Sequence, residues 1–204
     1  MPVSRQPKII CDGGNHTALR LRLKASIKMG ESNPVKATSR PGGVANIVHL
    51  ALRILGHDTS LLCLPPDPAR SYIAVENENG LLLHGLASLE SYQQLNASWI
   101  AQKSHELKQA DWIVADANCM ADAIAAIPKG PRLAMIAVSP AKMAHFLPAL
   151  ARADWLFCNR AEWAELGKHG SSDPPKNSLE TRGANGCRWH FMGGRKDFAS
   201  PFSP

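Results

Sequence analysis

Through the middle of the chain, hydrophobic residues fall in short unbroken runs separated by stretches with helical spacing. Trp112 to Ala115, Leu133 to Val138 and Trp155 to Cys158 are continuous apolar runs of strand length. Met120 to Ile127, Ala141 to Leu150 and Ala161 to Leu166 follow them in turn with helical patterns. Apolar runs without alternation suit strands covered on both faces. The order therefore predicts a β-α-β-α-β-α series, forming a parallel sheet with helices on either side and right-handed crossovers.

The first half carries a second pattern. Lys8 to Cys11 reads as a strand, and Leu19 to Lys24 alternates leucine with a cation at every step. Tyr72 to Val75 and Leu81 to Leu83 flank the turn Glu78-Asn79-Gly80, which predicts a small antiparallel sheet beside the main one. Val44, Ile47, Val48, Ala51, Leu52 and Leu55 recur at three- and four-residue intervals, giving one apolar helix face that Gly56 ends. Leu64-Pro65-Pro66-Asp67-Pro68 and His169-Gly170-Ser171-Ser172-Asp173-Pro174-Pro175 read as loops, standing where a longer α/β protein would place another helix and strand. There is no internal repeat or low-complexity tract.

Composition narrows the class. With 204 residues, 45% of them hydrophobic, the chain fits one domain with a continuous core. No window approaches the roughly 18 apolar residues needed to span a bilayer, and Met1 to Arg5 lacks the apolar run of a signal peptide, so the expected location is the cytoplasm and no membrane partner is expected. The five cysteines are widely spaced and read as reduced core thiols; without C-x-x-C or H-x-x-x-H there is no support for a zinc or metalloprotease site. Asn15-His16-Thr17 and Asn96-Ala97-Ser98 match the glycosylation sequon, which without a secretory route is chance. The net charge of +6 invites a nucleic-acid partner. Its densest stretch, Leu19 to Lys24, instead places leucines on one strand face and cations on the other, which is a half-buried strand with a solvated basic side or a basic rim near a site for an anionic nucleotide.

Two short constellations carry chemistry. Ser32-Asn33-Pro34 is followed by Pro41-Gly42-Gly43-Val44-Ala45, which runs into the amphipathic helix. A glycine pair before a helix lets backbone N–H groups approach a polar ligand, and the helix N-terminus favours negative charge or hydroxyl oxygens there. Taken alone it equally describes a loop running into an N-cap. Asn159 and Glu162, one turn apart, likewise form an N-cap and capping-box pair on their own terms.

The order of these segments resembles the ribokinase-like (PfkB) carbohydrate kinases. It comprises Gly13-Gly14, Ser32-Asn33-Pro34, Gly42-Gly43-Val44-Ala45, Arg53 to Gly56, Tyr72 to Val75 with Glu78-Asn79-Gly80, Asn159-Arg160-Ala161-Glu162, and Thr181-Arg182-Gly183-Ala184-Asn185-Gly186. Ser-Asn-Pro followed by Gly-Gly-Val-Ala is most similar to the pseudouridine kinases. The resemblance covers about residues 8–187 and implies a single domain with a three-layer sandwich, a mainly parallel sheet and a small antiparallel lid drawn from about residues 18–40 and 70–87, incomplete at the C-terminus. It implies ATP and Mg²⁺ as cofactors and a sugar or nucleoside as acceptor, with a homodimer through the lid as one form of assembly. Asn159 and Glu162 match the motif that organises magnesium around the ATP phosphates, with Glu162 nearest the metal, and Thr181 and Gly183 match the turn that leads past the nucleotide. Gly42 and Gly43 would line the sugar site, with Ser32 and Asn33 on the loop before them.

The chain departs from that pattern at four places, one of them the absence of the aspartate usual before Ser139-Pro140. The family's Gly-Ala-Gly-Asp, whose aspartate takes the proton from the acceptor hydroxyl, occurs nowhere in it. The sugar-binding aspartate falls on Ala18, with Asp12 as partial compensation, and the helix asparagine falls on Ile47. Asn46 stands one place early, about 100° round the helix, and is the remaining candidate there. Loss of a general base costs about 10²–10⁴ in rate, so the expectation is a sugar or nucleoside kinase of very low or no turnover, against the alternative of a non-catalytic remnant acting by ligand or partner binding. Missing helix cover further predicts exposed apolar surface and self-association.

Overall fold

The computed structural model describes residues 5–170 and 175–201. In chain order the elements are β1 (Ile9–Asp12), β2 (His16–Leu23), β3 (Val35–Gly42), α1 (Val44–Ile54), β4 (Thr59–Leu62), β5 (Ser71–Glu76) and β6 (Leu82–Ser88). Then follow α2 (Ala97–Lys108), β7 (Trp112–Asp116), α3 (Ala121–Ala126), β8 (Arg132–Ile136), a 3₁₀ segment Pro140–Arg152, β9 (Trp155–Asn159), α4 (Arg160–Lys168), β10 (Asn177–Thr181), β11 (Cys187–Phe191) and β12 (Gly194–Phe198).

Eight strands make the main sheet in the order β12-β11-β10-β9-β8-β7-β1-β4. All pairs from β4 to β10 are parallel, and β11 and β12 add an antiparallel edge. Because successive side chains alternate in a strand, each parallel strand supplies both faces. Ile10, Ile113, Leu133, Met135 and Leu156 turn to one side, against Ile100 and Leu107 of α2, Ile124 of α3, Phe146 of the 3₁₀ segment and Leu166 of α4. Ile9, Cys11, Val114 and Ala134 turn to the other, under Ala45, Val48 and Leu52 of α1. Among the described residues α1 is the one helix packed on this second face, so beyond it the sheet presents an apolar groove of about 600 Å³ lined by Trp112, Ile136, Trp155 and Phe157. Trp155 stacks there on Phe157 at 5.7 Å and on Trp189 at 5.9 Å.

The smaller sheet has the order β3-β2-β5-β6. Its outer pairs are antiparallel hairpins, as the sequence pattern indicates, and the two hairpins join through a parallel β2/β5 pair. Gly80 at φ 82° makes the β5–β6 turn, where the Asn77 side chain accepts from the Asn79 and Leu81 amides.

Two details differ from the pattern-based reading. The predicted helix over Ala141 to Leu150 forms as 3₁₀ structure, because Pro148 lies inside it and cannot donate to an α-helical ladder. Helix α2 is polar enough to have escaped notice, yet it is well started: the Asn96 side chain accepts from the Ser98 and Trp99 amides, so the second sequon is an N-cap. Leu64 to Pro68 is an irregular connection as expected. Of the other proline-rich stretch, residues 171–174 lie outside the described residues.

Candidate functional site

In a parallel sheet, ligands bind outside the carboxyl ends of the strands, where the connecting loops gather. Here that edge carries, in spatial order, Gly13-Gly14 after β1, Asn118 after β7, Lys142 after β8, Asn159 at the end of β9, and Thr181 with Gly183 after β10. At about 4.8 Å per strand, Gly13 and Asn159 are about 14 Å apart along the edge.

The residue that organises the first half of this edge is Asp116, the last of β7 and 1% exposed. Its Oδ2 accepts from the Gly14 amide at 2.9 Å and the Ala45 amide at 2.8 Å, and its Oδ1 accepts from the Asn118 amide at 2.8 Å. Burial pushes its carboxyl upward, opposed by these three amides. The glycines around it are required by space. A Cβ on Gly13 would sit 2.4 Å from the Asp116 carboxylate, and one on Gly43, which has φ 93°, would sit 2.0 Å from the Gly14 carbonyl oxygen.

This arrangement revises the part played by Gly42 and Gly43. The first amides of α1 are taken inside the protein: Ala45 donates to Asp116, Asn46 to the Gly14 carbonyl and Ile47 to the Gly43 carbonyl. The close backbone approach that the glycine pair permits is thus to Gly14. Asn46 is buried and its side chain donates to the Gly42 carbonyl, whereas Ile47 is 54% exposed, so Asn46 is the inward-facing residue of the two. Asp12 does not compensate for Ala18. It is fully buried, accepts from the Trp99 indole at 3.0 Å, and burial raises its carboxyl to about 7.

Ser32 and Asn33 are placed elsewhere. They lie at the tip of the β2–β3 hairpin, where the Asn33 side chain accepts from the Lys28 amide and donates to the Lys28 and Glu31 carbonyls. Gly42 ends the same strand that Val35 begins, seven residue steps away, or about 23 Å. They therefore share no hollow with Gly42 and Gly43 on one chain; the loop closes on itself.

Between the two halves stands a cation that the sequence reading did not single out. Lys142 Nζ donates to Asn118 Oδ1 at 2.6 Å and lies 6.0 Å from the Tyr92 ring centre. Burial lowers its ammonium, while the nearby Asp116 carboxylate acts the other way. The Tyr92 hydroxyl lies 2.8 Å from His16 Nδ1 at the root of the lid, and burial lowers the His16 imidazole, helped by Lys142 and Arg70. The only signal in the sequence was a lysine just after a predicted strand end.

The second half gathers the nucleotide-side candidates. Asn159, Thr181 and Gly183 line one hollow of about 560 Å³ together with Arg160, Arg182 and Asn185. Gly183 has φ 59°, the turn that opens the hollow. Asn159 and Glu162 form a complete capping box: the Glu162 amide donates to Asn159 Oδ1 at 2.9 Å and the Asn159 amide to Glu162 Oε2 at 2.7 Å. Glu162 is buried, and among the described residues no group of three or more His, Cys, Asp or Glu surrounds it. Glu162 does not line the hollow, and Glu162 Oε2 and Asn159 Oδ1 are engaged in the capping box, so the protein donors at hand are few. That suits a Mg²⁺ ion which takes most of its ligands from water and phosphate, and does not suit an all-protein cage.

No protein-family model matches the sequence, and no curated protein matches it. Solved structures do. A carbohydrate kinase from Agrobacterium tumefaciens superposes with a TM-score of 0.72 at 23% identity, covering 93% of this chain and 74% of that one. The ribokinase of Giardia lamblia gives 0.71 at 14% identity, covering 95% and 76%. A Burkholderia thailandensis nucleoside kinase, solved with inosine, gives 0.69 at 12% identity, covering 95% and 75%. The chain thus has the fold of the ribokinase-type carbohydrate and nucleoside kinases: α/β, with a large, mostly parallel sheet and a small sheet beside it.

Proposed function

We propose that this protein is an ATP-dependent phosphotransferase of the sugar and nucleoside kinase type, with a pseudouridine-like nucleoside as the leading acceptor class. The observation that carries the reading is the alignment along one carboxyl edge of the Gly13-Gly14 turn, the Asn118–Lys142 pair and the Asn159–Thr181–Gly183 hollow. The solved neighbours named above add that this edge belongs to a kinase fold.

Each part has a task in such a reaction. The hollow at Asn159 is bordered by Arg160 and Arg182, cations that suit a nucleotide phosphate chain; Arg182 is held by a bidentate pair with Glu180. ATP supplies the phosphoryl group, and Mg²⁺ held near Asn159 and Glu162 would offset its charge. Lys142, half-buried at the centre, is placed to hold negative charge that develops between donor and acceptor. Gly42, Gly43 and Asn46 support the acceptor side by fixing the lid root. Ser32 and Asn33, on the hairpin tip, can act on an acceptor only across a lid-to-lid homodimer.

We expect low turnover, because by the resemblance Ala18 stands where the acceptor-binding aspartate falls. The same observation favours the second reading, a non-catalytic remnant of such a kinase, in the cytoplasm, that acts by ligand or partner binding. A coupled ADP-release assay with pseudouridine, ribose and ATP-Mg²⁺, run beside calorimetric titration of each ligand, separates the two. Turnover above background that falls at least about tenfold in Lys142→Met supports the kinase. Binding heat without turnover supports the second reading, and no heat with any ligand defeats the kinase and leaves the second reading to partner binding.

A further inference from the structure

The alternating segment of β2 is more organised than a solvated basic strand. Arg20 and Arg22 lie on the face of the lid that also carries His16 and Ala18, the face that reaches Tyr92 and Gly42 at its root. Across the ladder to β3 they stand opposite Thr38 and Lys36, and across the ladder to β5 Arg22 stands opposite Glu76. Glu76 is 5% exposed and is gripped by both guanidiniums: Arg20 donates through Nε at 2.8 Å and through Nη2, and Arg22 through Nε and Nη2 at 3.4 Å. The Arg20 bond leads in holding the Glu76 carboxyl below its ordinary range.

Glu76 therefore anchors the two arginines, and the guanidinium N–H groups turned away from it stay available. Lys36 has no ion pair among the described residues, and it stands directly opposite Arg22, where like charges in an antiparallel pair are destabilising. Arg20, Arg22, Lys36, Thr38 and Glu76 line a hollow of about 200 Å³, with three cations, one hydroxyl and a single carboxylate already engaged. A fold that holds like charges together around a small hollow is arranged for an oxyanion.

We infer that this hollow is an anion subsite of the lid, and that it takes the phosphate of a phosphorylated acceptor, a sugar or nucleoside monophosphate. This rests on the kinase reading above and replaces its neutral nucleoside acceptor with a phosphorylated one. Residues on one strand face repeat every ~6.7 Å, so Arg20 and Arg22 stand about 7 Å and about 13 Å along β2 from Ala18, beside the acceptor region at Gly42. The phosphate would sit on the side of the acceptor remote from the hydroxyl that reacts.

Calorimetric titration of the full chain with ribose 5-phosphate, ribose and inorganic phosphate, without ATP or Mg²⁺, tests this. Ribose 5-phosphate should bind at least about tenfold more tightly than ribose, as a charge-assisted contact implies. The difference should vanish in Lys36→Glu and persist in Lys28→Glu, a control that removes the same charge at the hairpin tip. Lys36→Glu replaces a like-charge pair with an opposite one across from Arg22, so its thermal midpoint should rise and loss of binding cannot be laid to unfolding. Equal affinity for the phosphorylated and plain sugars overturns the inference. Equal losses in both variants do the same, since they reveal net charge alone. Inorganic phosphate binding as tightly as the sugar phosphate assigns the hollow to free phosphate and overturns the acceptor assignment. Turnover of a neutral acceptor with ATP would leave the kinase reading standing while any of these removed the subsite.

Discussion

Asp116 accepts from three backbone amides through its two carboxylate oxygens. Truncating it in Asp116→Ala leaves three buried amides without an acceptor, and at about 1–3 kcal/mol for each such loss the protein should be destabilised by about 3 kcal/mol or more in urea titration. Asp12 gives a pH signature. Its native carboxyl keeps its proton up to about pH 7, while the unfolded one titrates near 4, so the native state binds more protons between these values. Its contribution is full below about pH 4 and is lost as pH rises through about 7. Thermal midpoints should therefore decline over that span, and Asp12→Asn should flatten the decline. Neither carboxylate's role was legible in the sequence, because two of the three amides on Asp116 lie 71 and 102 residues away and the side chains on Asp12 lie 87 and 107 residues away.

The elements were legible where a local rule decides them. Gly56 at φ 82° ends α1, and the capping box at Asn159 starts α4, as residue type and spacing indicate. β3, with the sequence Val-Lys-Ala-Thr-Ser-Arg-Pro-Gly, has no hydrophobic alternation and forms because β2 offers it a ladder; tertiary pairing overrides propensity there. Helix α2 was missed for the same reason of polarity. The capping box also permits a test of dual use. Asn159→Ala should cost about 1 kcal/mol of stability through the lost cap. If Asn159 also orders the nucleotide phosphates, calorimetry should show ATP-Mg²⁺ affinity falling about tenfold or more at a temperature where the variant stays folded, whereas a cap alone leaves affinity near that of the parent.

At the scale of the molecule, the β-α alternation disclosed the parallel sheet, and the glycine and Asn/Glu motifs disclosed the edge where its loops converge. The central lysine was hidden, because its significance depends on which strand ends lie side by side. The open sheet face follows from the same architecture: strands with apolar residues on both sides have one side clothed by α2, α3, the 3₁₀ segment and α4, and the other, among the described residues, by α1. Anilinonaphthalene sulfonate should accordingly bind the native protein and quench tryptophan emission, and Trp155→Gln should reduce both effects; a native state that leaves the dye dark would contradict an open groove. The lid has its own mechanical consequence. Gly14 feeds β2 and Ala45 follows β3, so both ends of the β2–β3 hairpin are pinned to a single oxygen of Asp116. The base of that hairpin and the start of α1 thus share one anchor, and the same carboxylate, through its other oxygen and Asn118, is two hydrogen bonds from Lys142.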